Sequence, residues 1–234
     1  MPDFKIATVL DHLHPTSTYH MLKLQVDNME EFKFIPGQYI ILKIGDAGVR
    51  DYSLASLPYE NTFELIVDLK PGHEGSYYIH SINEGDRIQF LGPMGNFQLK
   101  PDDGSEEIVF LGTGSGVAPL KAMIEQLLFR IKETRPIRLY FGLRHCSDIF
   151  MHDYFGELDR KYKNFIFTPC LSQPDENWTA DCGHITDLVK RDYTDGSNLS
   201  AYLCGNQAMI DEAQQILKNI NVHESRIYCE AFFK

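Results

Sequence analysis

The sequence lacks the features that would serve a membrane, a secretory pathway or nucleic acid. It has no apolar window of the roughly 18 residues needed to span a bilayer, and residues 1–10 lack the basic start and apolar run of a secretory signal. Acidic residues outnumber basic ones throughout, 14 to 8 in residues 1–102 and 19 to 14 in the remainder, which argues against binding to nucleic acid. These absences predict a cytoplasmic protein without membrane insertion.

Cysteine is scarce and unevenly placed. The five cysteines are an odd set in the rear half, which predicts free thiols rather than a disulfide framework. None has the tight spacing that holds an iron-sulfur cluster. The nine histidines include no His-Glu-x-x-His motif, and Cys182-Gly183-His184 is too short for the usual zinc spacing. The sequence therefore predicts no metal site.

The front half, residues 1–102, has the pattern of a small β-rich domain. Short β-like runs occupy residues 5–10, 19–26, 38–44, 52–57, 63–69 and 87–91, and turn-forming glycine and proline pairs separate them. Six short strands with such turns predict an antiparallel barrel.

The rear half, residues 103–234, follows a different pattern. Buried-type runs at residues 108–111, 137–141, 165–168, 201–203 and 227–229 alternate with helical patterns, which predicts a parallel α/β sheet. Apolar residues with 3.6-residue spacing predict one helix from Leu120 to Ile131, with Pro119 at its first position, and another that contains Met209 to Leu217. The acidic segment 101–107 is the expected linker.

Three short motifs carry the chemistry. The first, Arg50–Ser53, begins a strand, so Arg50 and Tyr52 should point to one face and Ser53 to the other. The second, Gly112–Pro119, opens a helix where an α/β sheet binds dinucleotides. It is not the Rossmann fingerprint, because Val117 occupies the third glycine position. The third is Cys204-Gly205, at the end of a late strand.

Together with Pro36–Tyr39 and Gly92–Phe97, these motifs occur in the order that the ferredoxin-NADP reductase superfamily shows, and the chain resembles that superfamily from Pro36 to Phe232. The resemblance implies a six-stranded antiparallel flavin-binding barrel (1–102) followed by a parallel α/β nucleotide-binding domain (103–234). The iron-sulfur domain that is fused to many members is not expected here.

The resemblance also implies a set of flavin contacts. In the family, the residue matching Arg50 pairs with the flavin phosphate, that matching Tyr52 lies against the isoalloxazine ring, and that matching Ser53 lies near flavin N5. Gly75 and Ser76, interpreted as an N-cap before a helix over residues 77–82, suit the pyrophosphate of FAD; a plain cap is the alternative. The remaining predicted flavin-site residues are Val67, Leu69, Glu230 and Phe232. Phe232 or Phe233 could shield the flavin ring, and the alternative is that these two aromatics only close the core.

For the nicotinamide nucleotide, the resemblance implies contacts from the glycine-rich loop and the Cys-Gly motif. Cys204 would orient the nicotinamide without acting as a nucleophile, and a buried structural thiol is the alternative. Ser172-Gln173 lacks the arginine of NADP-preferring members, which favours NADH, although Arg144 leaves NADPH open. The residues predicted to bind this nucleotide are Thr113, Gly114, Gly116, Pro119, Arg144 and Gly205.

The predicted activity is that of a flavoprotein oxidoreductase. A hydride would pass from NAD(P)H to FAD, with Ser53, Cys204 and Glu230 as catalytic residues, and electrons would continue to a protein such as ferredoxin, flavodoxin, a cytochrome or an oxygenase component. The acidic balance leans toward a small or less acidic acceptor. A reductase of free flavin and a non-catalytic nucleotide-binding regulatory subunit are the alternatives.

Overall fold

The computed structural model describes residues 4–27, 32–45, 48–59, 61–69 and 74–231. The first sheet contains β1 (Lys5–Leu13), β2 (Tyr19–Val26), β3 (Tyr39–Lys43), β4 (Val49–Ser53), β5 (Thr62–Asp68) and β6 (Arg87–Met94). The second contains β7 (Glu107–Thr113), β8 (Ile137–Leu143), β9 (Phe165–Leu171), β10 (Asp181–Cys182), β11 (Leu199–Gly205) and β12 (Ile227–Ala231). The helices are α1 (Glu74–Ser81), α2 (Val117–Glu125), α3 (His152–Lys161), α4 (Ile185–Asp192) and α5 (Gln207–Asn219).

The first sheet is an antiparallel barrel, as predicted. Its strand order is β4-β3-β6-β1-β2-β5, and the two ends meet where Leu54 pairs with Leu65 and the Ala55 N–H donates to the Glu64 carbonyl. The predicted fourth strand, residues 52–57, is wrong in its bounds. β4 ends at Ser53 because Leu54 and Ala55 leave β3 and close the barrel on β5.

The second sheet is parallel, with strand order β10-β9-β8-β7-β11-β12. Its five predicted strands are present, and the two-residue strand β10 was not predicted. Helices α2 and α3 share one buried cluster with one face of the sheet, while α4 and α5 share another cluster with the opposite face. Among the described residues, no helix is long and apolar enough to cross a membrane.

Two predicted helix starts are wrong. Helix α1 begins at Glu74, so Gly75 and Ser76 lie in its first turn and Ser76 is not its N-cap. Helix α2 begins at Val117, which makes Pro119 its third residue; proline fits there because first-turn N–H groups have no intrahelical acceptor. Beyond Glu125 the chain continues as a π-helix, Gln126–Ile131, instead of one long α-helix.

The two sheets share a buried core. The domain boundary predicted at residue 102 remains a prediction. Barrel residues Ala55, Ile66 and Phe97 belong to the same buried cluster as the apolar face of α2. Of the neighbouring ion pairs, Lys121–Glu125 is buried and Lys121–Glu64 is half-buried. Lys121 Nζ lies 2.7 Å from Glu125 and 3.1 Å from Glu64 of the barrel.

Lys121 holds this junction together. Its ammonium also donates to the Ala55 carbonyl at 2.8 Å, and the Tyr154 hydroxyl donates to Glu125. Burial alone would lower the pKa of Lys121, but Glu125 and Glu64 raise it, and the net direction is upward. The lysine therefore stays charged between the two sheets.

Substitution Lys121→Met is expected to destabilise the protein by about 3 kcal/mol, because it leaves the Glu125 carboxylate buried without a cation. The urea midpoint of unfolding measures this loss. Lys190→Met is the matched control, since Lys190 also contacts two carboxylates, Asp187 and Glu212, but at the surface. An equal shift of the midpoint in both variants would contradict the role of Lys121 as the cation that neutralises the buried Glu125 carboxylate.

Candidate active site

Arg50 and Tyr52 extend from β4 to the first turn of α1. A Cβ atom on the buried Gly75 would lie 3.4 Å from Arg50 Cγ and 3.6 Å from Tyr52 Oη. Helix N-termini offer unpaired N–H groups and a partial positive charge to anions. The structure therefore brings the guanidinium, the ring of Tyr52 and the first turn that contains Ser76 together, in an arrangement that suits a phosphate.

Tyr52 remains a neutral phenol beside this arginine. Burial raises the pKa of Tyr52 to about 12, although Arg50 acts in the opposite direction. Tyr52 therefore offers a ligand its aromatic face and a neutral hydroxyl, not an ionised oxygen.

The three predicted catalytic residues, Ser53 of β4, Cys204 of β11 and Glu230 of β12, lie near one another. The Ser53 hydroxyl donates to Glu230 Oε2 at 3.3 Å, and Glu230 pairs with Cys204 in the parallel ladder between β12 and β11. Burial raises the pKa of Glu230 to about 7, with Asp51 adding to the rise and the Ser53 hydrogen bond opposing it. Glu230 can therefore exchange a proton near neutral pH.

Cys204 is not an activated thiol. It is fully buried, and this burial raises its pKa well above the ordinary value. A neutral thiol is a poor nucleophile, so Cys204 can shape the site but does not attack a substrate.

The glycine-rich loop packs directly against the Cys-Gly motif. A Cβ atom on Gly116 would lie 2.4 Å from the Cys204 carbonyl oxygen, and one on Gly205 would lie 2.1 Å from Thr113 Oγ1. Gly205 also has φ of +152°, which side chains disfavour. Only glycine lets these two segments approach so closely.

A cleft of about 620 Å³ opens beside this contact. It is lined at the carboxyl ends of β7, β8, β9 and β11 and at the N-terminal ends of α2, α4 and α5. Parallel α/β sheets bind ligands at this edge, and helix N-termini favour anionic groups there. Thr113, Gly114, Gly116, Arg144 and Gly205 all line the cleft.

Arg144 stands at the exposed side of this cleft. Its Nε donates to Gln173 Oε1 at 3.3 Å, and the Gln173 N–H donates to the Arg144 carbonyl at 2.8 Å. Ser172 lines the same cleft. The residues predicted to decide between NADH and NADPH therefore form one cluster.

Some predicted site residues lie elsewhere. The side chains of Val67 and Leu69 are part of the barrel core, so only their backbone could reach a cofactor. Pro119 is buried within α2 and does not line the cleft. Phe232, like Phe233, lies outside the described residues.

Sequence reasoning missed residues that complete the cleft. Asn206 caps α5 by accepting from the Met209 N–H, and its own N–H and Nδ2 donate to Thr113 Oγ1, both at 3.3 Å. Thr113 thus keeps its hydroxyl hydrogen for a ligand. An asparagine just before a helical pattern is an N-cap signal that could have identified Asn206; Tyr19, also in the lining, gave no such signal.

The two sites fit the two halves of a flavin- and nicotinamide-nucleotide-dependent reductase. Residues 8–99 match the oxidoreductase FAD-binding domain family, and residues 110–215 match the oxidoreductase NAD-binding domain family. The chain belongs to the ferredoxin-NADP reductase superfamily, and its cofactors are FAD and a nicotinamide nucleotide.

Similar proteins are reductases. The chain is 33% identical to the reductase component of phenol 2-monooxygenase from Pseudomonas sp. (strain CF600), with 97% of this chain and 65% of that protein covered. It is 30% identical to Amycolatopsis cytochrome P450 reductase GcoB, with a TM-score of 0.89, covering 98% of this chain and 70% of that one. A ferredoxin NADP+ reductase from Neisseria gonorrhoeae shares the fold, with 22% identity, full coverage of both chains and a TM-score of 0.87.

The chain spans between about half and two thirds of the length of the curated relatives it matches. Its own residues fit the two cofactors: Arg50 beside the first turn of α1 suits the phosphates of FAD, and the cleft at which α2, α4 and α5 begin suits the phosphates of a nicotinamide nucleotide.

Proposed function

We propose that the protein transfers a hydride from NADH to FAD and passes the electrons to a protein acceptor, such as a ferredoxin, flavodoxin, cytochrome or oxygenase component. The observation that carries the proposal is the contact between the two sites. Ser53, from the strand that carries Arg50, donates a hydrogen bond to Glu230, and Glu230 neighbours Cys204, the buried residue that precedes Gly205 of the cleft.

In this proposal the chain binds the two cofactors, orients their rings and excludes water from the site. Arg50 and the first turn of α1 hold the flavin phosphates, while the loop Thr113–Gly116 and Gly205 admit the nicotinamide. When bound, FAD supplies the hydride-accepting and electron-carrying chemistry. Stacking two rings in a fixed orientation removes much of the entropic barrier to transfer.

Similarity supports a protein acceptor, because the relatives above are named as reductases of a monooxygenase and of a cytochrome P450. The test is FAD retention through purification, followed by NADH oxidation with cytochrome c or ferredoxin as acceptor and, separately, with free flavin. Retained FAD and turnover with the protein acceptors support the proposal. A colourless protein that oxidises NADH only with added flavin would show a flavin reductase instead, and inactivity in every arm would leave only a binding role.

Substitution Arg50→Ala is expected to weaken FAD binding between about tenfold and a hundredfold, because a hydrogen bond to a charged group contributes about 1.5–3 kcal/mol. Fluorescence titration of the flavin-depleted protein measures the dissociation constant. Arg87→Ala is the control, since Arg87 is an exposed arginine of the same barrel that pairs with Asp27. Equal FAD affinity in the wild type and the Arg50 variant would exclude Arg50 as the phosphate ligand.

NADH is the expected nucleotide, and Gln173→Arg is expected to shift the kcat/KM ratio toward NADPH by about tenfold or more. The new guanidinium would lie beside Ser172 and Arg144, where it could pair with a 2'-phosphate. Gln215→Arg adds the same charge on exposed α5 and controls for net charge. An unchanged ratio in the Gln173 variant would place the adenosine ribose elsewhere.

A further inference from the structure

A histidine cluster forms where β1 and β2 pair, on the barrel. Leu13 lies opposite Met21 in the antiparallel register, so the next pair along the hairpin is His14 and His20. His12 precedes His14 by two residues and therefore faces the same side. The sequence search missed this set because the three histidines are joined by strand register, not by a short motif.

The spacing of the rings matches a metal site. One ligand nitrogen from each of His12, His14 and His20 lies within 4.8 Å of the others, and His12 Nε2 lies 2.9 Å from His20 Nδ1. Zinc–nitrogen bonds of about 2.0–2.1 Å place two ligand atoms roughly 2.9–3.4 Å apart at angles between 90° and the tetrahedral value. The pair His12–His20 is already at that separation.

The hydrogen bonds orient the ring of His12 as a ligand. His12 Nδ1 lies 2.9 Å from the Ile82 carbonyl, and a carbonyl can only accept, so the proton of this imidazole is on Nδ1. The Nε2 lone pair then points toward His20. Metal-binding histidines usually donate their other N–H to a carbonyl or carboxylate in this way. Without a metal, His20 Nδ1–H donates a hydrogen bond to His12 Nε2, and metal binding would release that proton.

We propose that His12, His14 and His20 form a binding site for a borderline divalent transition metal, with zinc as the reference ion and the fourth coordination position open to solvent. Three imidazoles suit Zn²⁺, Cu²⁺ and Ni²⁺ better than Mg²⁺ or Ca²⁺. His80 is not a ligand in this proposal: its ring centroid lies 5.8 Å from that of His20 and 6.3 Å from that of His14. The bound ion would tie the β1–β2 hairpin to the residue after α1 through His12 and Ile82.

Calorimetric titration of the chelator-treated holoprotein with zinc chloride tests the site. The expected result is one Zn²⁺ per chain, and His14→Gln is expected to weaken binding by at least about tenfold, as loss of even an outer-shell partner does. His14 is exposed, so this variant should fold. His80→Gln is the matched control and should leave the dissociation constant unchanged.

Two further readouts separate this site from the free cysteines. Zn²⁺ should raise the melting temperature of the wild type but not of the His14 variant, and Co²⁺ should give a spectrum without thiolate charge-transfer bands. No zinc binding, equal affinity in wild type and His14→Gln, an equal loss in His80→Gln, or thiolate bands with Co²⁺ would each overturn the proposal. None of these readouts depends on electron transfer.

Discussion

Substitution Gly116→Ala is expected to slow the reduction of bound flavin by NADH at least about a hundredfold, because a misplacement of about 1 Å can cost that much in rate. The added methyl would lie 2.4 Å from the Cys204 carbonyl oxygen and 2.6 Å from its carbon. The neighbouring atoms are backbone, so the loop must move away from Cys204-Gly205. That movement changes the floor of the nicotinamide cleft, and rapid mixing of NADH with the enzyme measures the effect.

The flavin content of the Gly116 variant should remain normal, because Arg50 and the first turn of α1, which we propose to bind the flavin phosphates, lie away from Gly116. Gly156→Ala on α3 is the control, since its new methyl would lie 3.6 Å from the nearest atom, the end of the Arg160 side chain. Normal reduction kinetics in Gly116→Ala would show that the close approach of the two segments does not shape the nicotinamide site. Loss of flavin together with loss of rate would instead indicate a general change of fold.

Substitution Ser53→Ala is expected to lower the rate of flavin reduction about a hundredfold, the effect of removing one preorganised hydrogen-bond donor from a reacting centre. In the proposed function the Ser53 hydroxyl has two partners, Glu230 and the flavin. Above pH 7 the Glu230 carboxylate accepts a hydrogen bond from the Ser53 hydroxyl. Below pH 7 the protonated carboxyl can itself donate to Ser53 Oγ, which frees the Ser53 hydrogen for the flavin.

The sign of the pH dependence follows from the raised pKa of Glu230, about 7. The reduction rate should be highest below that value and should fall as pH rises through it. Glu230→Gln provides a permanent amide donor, so this variant should be fast and show no transition near pH 7. Stopped-flow pH profiles of the three proteins measure this. A wild-type profile that is flat, or that rises with pH, would contradict the proposed role of the Ser53–Glu230 pair.

Much of the site could be predicted from sequence because its parts depend on local rules. Strand alternation predicted that Arg50 and Tyr52 face one side of β4 and Ser53 the other. In the structure Arg50 and Tyr52 lie beside Gly75, and Ser53 lies beside Glu230. The glycine-rich loop was located by the strand before it and the helix after it. The carboxyl ends of parallel strands meet at one edge, which brought Thr113 and Gly205 together as expected.

What the sequence did not predict depends on tertiary contacts. Helix α1 starts before Ser76, where Gly75 packs beside Arg50, and no local signal separated an N-cap serine from a first-turn serine. The bonds from Asn206 to Thr113 and the salt bridges of Lys121 join residues far apart in the chain. The histidine cluster depends on the register of β1 and β2, which no motif search reads.

The contacts between the two sites imply direct hydride transfer from the nicotinamide nucleotide to FAD bound on the same chain. The measurement that tests it most directly is the visible spectrum of the purified, flavin-containing protein during anaerobic addition of NADH. We expect the yellow absorbance of bound FAD to bleach within the turnover time of the enzyme. Bound FAD that keeps its absorbance in excess NADH and excess NADPH would contradict it.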